Sequence, residues 1–194
     1  ALVRGLGDVY KRQIQTLYAP PLEIKNRLLE KYGLVLQQNP TCIHVRRGDY
    51  CKLPHRFSII SMKYFRKAID LIGRESVFLI ISDDMGWCKR HFKGDNFYFA
   101  DKSNSMLDDF YLQCLSVNNI ISNSSFSWWG GWLNANPDKI VIYPTPWFGP
   151  HYSHYDTCDL CPESWIALPN RTPFYYRMKA NWIRLCMRIE RMIH

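Results

Sequence analysis

The chain reads as an α/β protein built on a Rossmann-like parallel sheet. Two features point that way. From residue 41 onward, short apolar runs alternate with segments of helical periodicity, the pattern of repeated βαβ units with right-handed crossovers. The residues suited to chemistry also gather just after the apolar runs, where open α/β sheets bind their ligands. No internal repeat or low-complexity linker interrupts the pattern.

Taken in order, Thr41–Val45 predicts a short buried strand. Ser61–Ile72 predicts a helix, because Met62, Phe65, Ile69 and Ile72 fall on one face. Val77–Ser82 is a continuous apolar strand, Asp84–Phe92 a short helix and Asn96–Ala100 a third strand. Ser105–Val117 predicts a helix with Ser105 as N-cap and Asp108 and Asp109 in its first turn, where carboxylates favour the helix dipole. Ile120–Ser122 reads as a strand, Ser124–Asn134 as a helix and Lys139–Tyr143 as the final strand. Upstream, Leu22–Leu36 predicts one helix packed on the sheet. Residues 1–13 (ALVRGLGDVYKRQ) show no convincing periodicity and read as a non-native or disordered leader. The expected organisation is this leader, a Rossmann-like domain over 14–170 and a basic amphipathic helix over 171–194.

Composition narrows the function classes. Hydrophobic residues make up 47% of the 194 and aromatics 15%, as in a packed globular protein. No apolar run approaches membrane-spanning length, and residues 1–13 lack the apolar core of a signal peptide. Seven scattered cysteines suit reduced thiols in a cytosol better than a disulfide framework. The net charge of +8 is concentrated in residues 171–194, where six basic residues face only Glu190, while residues 14–170 are nearly neutral. A near-neutral body argues against nucleic-acid binding, which needs a broad phosphate-facing patch. In the tail, Met178, Trp182, Leu185, Ile189 and Met192 form one stripe with Arg177, Arg184, Arg188 and Arg191 largely off it. Such a helix either packs on protein or lies on an anionic membrane surface. The expected location is cytoplasmic, with peripheral contact on the inner face of the membrane as the second case.

The chemistry concentrates in two motifs. In Cys42-Ile43-His44-Val45-Arg46-Arg47-Gly48-Asp49-Tyr50, two arginines follow a buried strand, and their planar forks match the oxygens of a phosphate or diphosphate. His44 and Asp49 flank them. Asp49, the nearest carboxylate, can serve as a proton acceptor or orient Arg47. In Ile120-Ile121-Ser122-Asn123-Ser124-Ser125-Phe126-Ser127-Trp128-Trp129-Gly130-Gly131-Trp132, small hydroxyl residues sit where a strand gives way to a helix start. A helix N-terminus is a natural anion site. Alone, this second motif reads as an N-cap on a Trp-rich core helix; beside the double arginine it reads as the other half of an anion site.

Together these motifs resemble the bacterial α-1,2-fucosyltransferases of glycosyltransferase family 11. The resemblance runs over about residues 25–168. It takes in His44–Tyr50, Ser82-Asp83-Asp84 with Trp87, Leu107–Leu112, Ile120–Leu133, Tyr143–Phe148 and Pro162–Ile166. It implies inverting transfer of L-fucose from GDP-β-L-fucose to the 2-hydroxyl of a galactose-terminated acceptor in surface-glycan synthesis. It also implies that this chain is the nucleotide-sugar-binding half of a GT-B-like fold, truncated at its N-terminus, because a Gly-x-Gly-Asn-Gln-like segment is missing. In that reading Arg46 and Arg47 stabilise the departing diphosphate, His44 lies near the nucleoside and Asp109 accepts from the guanine amino group. Ser122, Ser124 and Ser125 receive phosphate oxygens. No cofactor or metal is expected.

Alternatives remain. The chain could be a donor-binding module without catalysis, or the same fold using another GDP-sugar. Asp83-Asp84 resembles a metal-holding acidic pair, against which stands a simple helix cap. His151, His154, Cys158 and Cys161 have zinc-like spacing, against which stands an incidental cluster in a Pro-rich loop.

Overall fold

A computed structural model describes residues 2–193, with side chains described for residues 10–192. Six parallel strands form a single sheet: β1 (Thr41–Val45), β2 (Phe78–Ser82), β3 (Phe97–Phe99), β4 (Asn118–Ile120), β5 (Val141–Thr145) and β6 (Ile166–Pro169). Their order is β3-β2-β1-β4-β5-β6. This is the doubly wound order in which the chain direction of winding reverses between β1 and β4, leaving a crevice at their carboxyl ends. The expected α/β fold and parallel sheet are present.

Seven helices accompany the strands: α1 (Leu2–Leu17), α2 (Leu22–Leu36), α3 (Met62–Ile72), α4 (Met85–His91), α5 (Met106–Leu115), α6 (Ser125–Leu133) and α7 (Phe174–Ile193). Alternation along the strands sorts them into layers. Ile43, Val45, Phe78 and Ile80 pack with Phe65 and Ile69 of α3 and with Cys88 of α4. Cys42, Leu79 and Ile81 point the other way, to Leu28 and Tyr32 of α2, Tyr111 and Leu112 of α5 and Leu133 of α6. β1 is buried along its whole length, as a central strand covered on both faces should be. A third cluster, Ile121, Val141 and Trp165 with the indoles of Trp128 and Trp132, fills the β5 end of the sheet.

Helix starts follow the capping logic of the sequence. Ser61 caps α3 by accepting from Tyr64 N. Ser105 and Asp108 form a reciprocal capping box on α5. At Gly130, a Cβ would stand 2.8 Å from Gln113 Cβ, so only glycine lets α6 approach α5 this closely.

Four findings depart from the sequence reading. Residues 2–17 form one helix, α1, which includes most of the 1–13 stretch read as a leader without periodicity; its contacts with the domain lie in the following turn, where Ile14 packs beside α5 and α6 and Gln15 Nε2 donates to Trp132 O (3.4 Å). β4 spans Asn118–Ile120, two residues earlier than the sequence predicts; beyond it the link to β1 is made by the Ser122 hydroxyl, while Ile121 N still donates to Ile142 O of β5. Lys139–Tyr143 is not the final strand: β6 pairs with β5 beyond it. That strand is short, mostly exposed and ends in proline, so it carries no burial signal. Finally, a 3-10 turn over Tyr50–Lys52 follows the arginine pair.

Candidate functional site

Both motifs meet at the crevice. β1 delivers Arg46 and Arg47 at its carboxyl end, β2 delivers Asp83 and Asp84, and β4 leads through Ser122 into the start of α6. Arg46 forms ion pairs through Nη2 with Asp49 (2.7 Å) and through Nη1 with Asp83 (3.1 Å), with its guanidinium 5.3 Å from the Tyr50 ring centre. Arg47 lies face-on to Trp87 at 4.2 Å, with Nε on Asp84 (3.3 Å) and Nη2 on the Tyr176 hydroxyl (3.3 Å). The arginines therefore differ: the Arg46 side chain is 35% exposed and that of Arg47 only 12%. Two guanidinium charges face the three carboxylates of Asp49, Asp83 and Asp84.

Asp83 is the organising residue that sequence reasoning did not single out for this role. One oxygen accepts from Arg47 N (2.9 Å) while the other meets Arg46. Gly48 makes that approach feasible, since a Cβ there would stand 2.7 Å from the same carboxylate. Asp84 caps α4 by accepting from Trp87 N (3.0 Å) and also meets Arg47. The acidic pair thus orders the arginines and starts a helix.

The remaining expected residues separate into open and enclosed. His44 is 5% exposed, 5.5 Å from the Phe126 ring, and its Nδ1 has no hydrogen-bond partner. Burial, aided by Arg46, pulls its pKa down to about 3, so the ring is neutral. Ser122 is fully buried: its hydroxyl donates to His44 O (2.6 Å) and accepts from Arg46 N (3.1 Å). The expected phosphate role for Ser122 does not fit that geometry, because its hydroxyl already joins β1 to the β4 end. Ser124 occupies the N-cap position of α6 without a side-chain capping bond, and Ser125 is exposed in its first turn. Tyr50 hydroxyl donates to Asn123 O (3.3 Å), tying the arginine loop to this helix start. Asn123 also donates to Ser58 O and Trp147 O, fixing the loop after β5; nothing in the local sequence pattern signals that clamp.

Asp109 borders a cavity of about 410 Å³ over the carboxyl ends of β2 and β3, together with Asp83, Asp84, Asp101, Lys102 and Asn104. Burial pushes its carboxyl upward, countered by a bond from Asn104 Nδ2 (2.8 Å). Asp83, shared with Arg46, joins this cavity to the arginine pair. Among the described residues, no group of three or more His, Cys, Asp or Glu converges as a metal site, and the His151-His154-Cys158-Cys161 set does not come together. All seven cysteines are free. No helix among the described residues is long and apolar enough to cross a membrane.

The arrangement combines fixed cations, an open helix start and an acidic cavity across a switch point. It suits a ligand with a phosphate portion and a polar base. A family model described as Glycosyl transferase family 11 matches residues 23–168. The O-antigen biosynthesis glycosyltransferase WbnK of Escherichia coli is 39% identical over 140 residues, 67% of this chain and 45% of that protein. An alpha-1,2-colitosyltransferase of E. coli is 30% identical over 174 residues, 82% of this chain and 57% of its own length. A galactoside 2-alpha-L-fucosyltransferase of Caenorhabditis elegans is 26% identical over 66% of this chain and 39% of that protein. The chain spans about half the length of the curated relatives it matches. No solved structure matches it significantly. The match over 23–168, with both site motifs inside it, shows that this chain belongs to glycosyltransferase family 11.

Proposed function

We propose that the crevice binds GDP-β-L-fucose without a metal ion, as the donor half of an inverting galactoside α-1,2-fucosyltransferase of GT-B-like architecture. The observation that carries this reading is the pair Arg46–Arg47 at the switch point, linked through Asp83 to the neighbouring cavity bordered by Asp109. The diphosphate lies against Arg46, the better exposed fork, with Arg47 behind it and the α6 start, Ser124 and Ser125, opposite. His44 backs the nucleoside as a neutral ring, and Asp109 accepts from the guanine amino group.

In the reaction, the acceptor 2-hydroxyl attacks the anomeric carbon as the bond to the β-phosphate breaks. Negative charge grows on the leaving diphosphate, where Arg46 and Arg47 stabilise the transition state more than the ground state. When the diphosphate engages Arg46, Asp49 is released from its 2.7 Å pairing and can take the hydroxyl proton. Calorimetry tests the donor reading. GDP-fucose should bind in EDTA and UDP-galactose should not; binding that disappears in EDTA and returns with manganese would make Asp83 and Asp84 a metal site.

The likeness to the colitosyltransferase supports a second donor, a GDP-linked colitose, and the product of transfer from each GDP-sugar to a galactoside, weighed by mass spectrometry, separates the two. The third possibility, donor binding without transfer, is met if neither sugar moves.

The outer side of α7 supports peripheral membrane contact. Phe174, Met178, Trp182, Leu185, Ile189 and Met192 are all exposed, and Arg188 and Arg191 lie exposed beside them. Salt-sensitive flotation with anionic vesicles, abolished by Trp182→Glu, is the expected result. If neither protein floats, the stripe packs on protein.

A further inference from the structure

We propose that α7 belongs to the donor site as a positioning element: Tyr176 holds the guanidinium of Arg47, and Lys179 holds the loop that carries it. The inference rests on the reading above that Arg47 faces the diphosphate. Nothing in the sequence couples these residues, since Tyr176 lies 129 positions from Arg47.

Arg47 is boxed on three sides. The Trp87 ring covers one face at 4.2 Å, Asp84 takes Nε, and the Tyr176 hydroxyl takes Nη2. Nη1 is the nitrogen without such a contact among the described residues, so the box leaves one edge of the fork free and fixes its direction. One turn along α7, Lys179 Nζ donates to Cys51 O (3.2 Å), and Cys51 N in turn donates to Arg47 O (2.7 Å). Tyr176 and Lys179 are three residues apart and so share a helix face, with fully buried Ala180 beside them. Thus α7 grips both the side chain and the main chain of the arginine segment. Burial and nearby Cys51 push the Tyr176 phenol upward despite Arg47, so it stays protonated at neutral pH and holds the fork as a neutral dipole.

The physical gain is pre-organisation. A free arginine loses several rotors on meeting an anion, whereas a fork already held loses few. Tyr176→Phe keeps the ring and removes only the hydroxyl, so it isolates positioning from packing.

A double-mutant cycle on GDP affinity, with melting temperature followed in parallel, tests this in the present chain. Tyr176→Phe should weaken GDP roughly five-fold, the scale of one lost hydrogen bond. Arg47→Lys should weaken it by about ten-fold or more, because an ammonium cannot occupy the fork geometry. In the Arg47→Lys background, Tyr176→Phe should then change affinity by less than about two-fold, the signature of action through Arg47. Lys179→Met should weaken GDP and Lys179→Arg should restore it. If Tyr176→Phe lowers the melting temperature but not GDP affinity, or if its effect adds in full to that of Arg47→Lys, α7 is only a strut and the proposal is overturned. If Arg47→Lys itself leaves GDP affinity unchanged, the phosphate role of Arg47 fails, and the positioning role fails with it.

Discussion

The two sides of the crevice are built from different materials. On the β1–β2 side, Arg46 and Arg47 are matched by Asp49, Asp83 and Asp84, a network of fixed charges that hold one another in place. On the β4–α6 side there is no charged side chain: a buried serine joins the strands, and two further serines stand at the start of a helix. Charges give strength and orientation but need partners to stay ordered; a helix start offers weaker dipoles that come already ordered by the backbone. An anion held between them meets a strong wall held by its own ion pairs and a weaker one ordered by the backbone.

The largest expected effect falls at Asp83. It accepts from Arg47 N and pairs with Arg46, so Asp83→Ala removes two charge-assisted contacts and should destabilise the fold by about 2 kcal/mol while weakening GDP, as read by urea unfolding and calorimetry. Ser122→Ala on the opposite side should destabilise by about 1–2 kcal/mol, since His44 O and Arg46 N lose their shared partner. Its folded form should still bind GDP within about three-fold of wild type, because the hydroxyl is directed at the backbone. A much larger loss of affinity at unchanged stability would return Ser122 to the phosphate site.

Asp109→Asn has a smaller expected effect. It should weaken GDP by about 1 kcal/mol more than it weakens IDP, which lacks the amino donor. Equal losses would make Asp109 a helix-start carboxylate only. Ser125→Ala should change GDP affinity by less than about 0.5 kcal/mol, because the backbone N–H groups of α6 remain.

A pH series tests the buried ring between the two sides. His44 has a pKa of about 3 in the fold against an ordinary value near 6.5. The unfolded chain therefore takes up a proton that the folded chain refuses. The stability due to this group is complete above about pH 6.5 and is lost as pH falls toward 3. Asp109, raised by burial, acts in the opposite sense just above the ordinary aspartate range. Urea unfolding at pH 7 and pH 5 should show the loss, and His44→Phe should flatten it.

Legibility in the sequence followed the same division. The apolar run of β1 and the span of α2 are evident because burial imposes pattern on them, and Ser105 is evident as a cap because its chemistry is local. The arginine pair is evident because two guanidiniums after a strand have few structural uses. What escaped depends on distant partners. Ser122 looks identical whether its hydroxyl meets a phosphate or the neighbouring strand. Asp83 reads from the sequence only as half of an acidic pair, and that Arg46 and the Arg47 N–H share it depends on the fold. Tyr176 lies in a helix whose visible pattern is its outer apolar stripe, whereas its function lies on the inner face. β6 and α1 carry too little burial of their own to announce themselves.

If Arg46 meets a diphosphate at the switch point, GDP and GMP must differ in affinity by the worth of that contact, as calorimetry in EDTA measures. Wild type should prefer GDP to GMP by about 2–3 kcal/mol, the scale of a charge-assisted phosphate contact. In Arg46→Ala most of that preference should vanish while GMP affinity changes little. An Arg46→Ala protein that keeps the full preference for GDP would contradict the account, because the β-phosphate would then be held elsewhere.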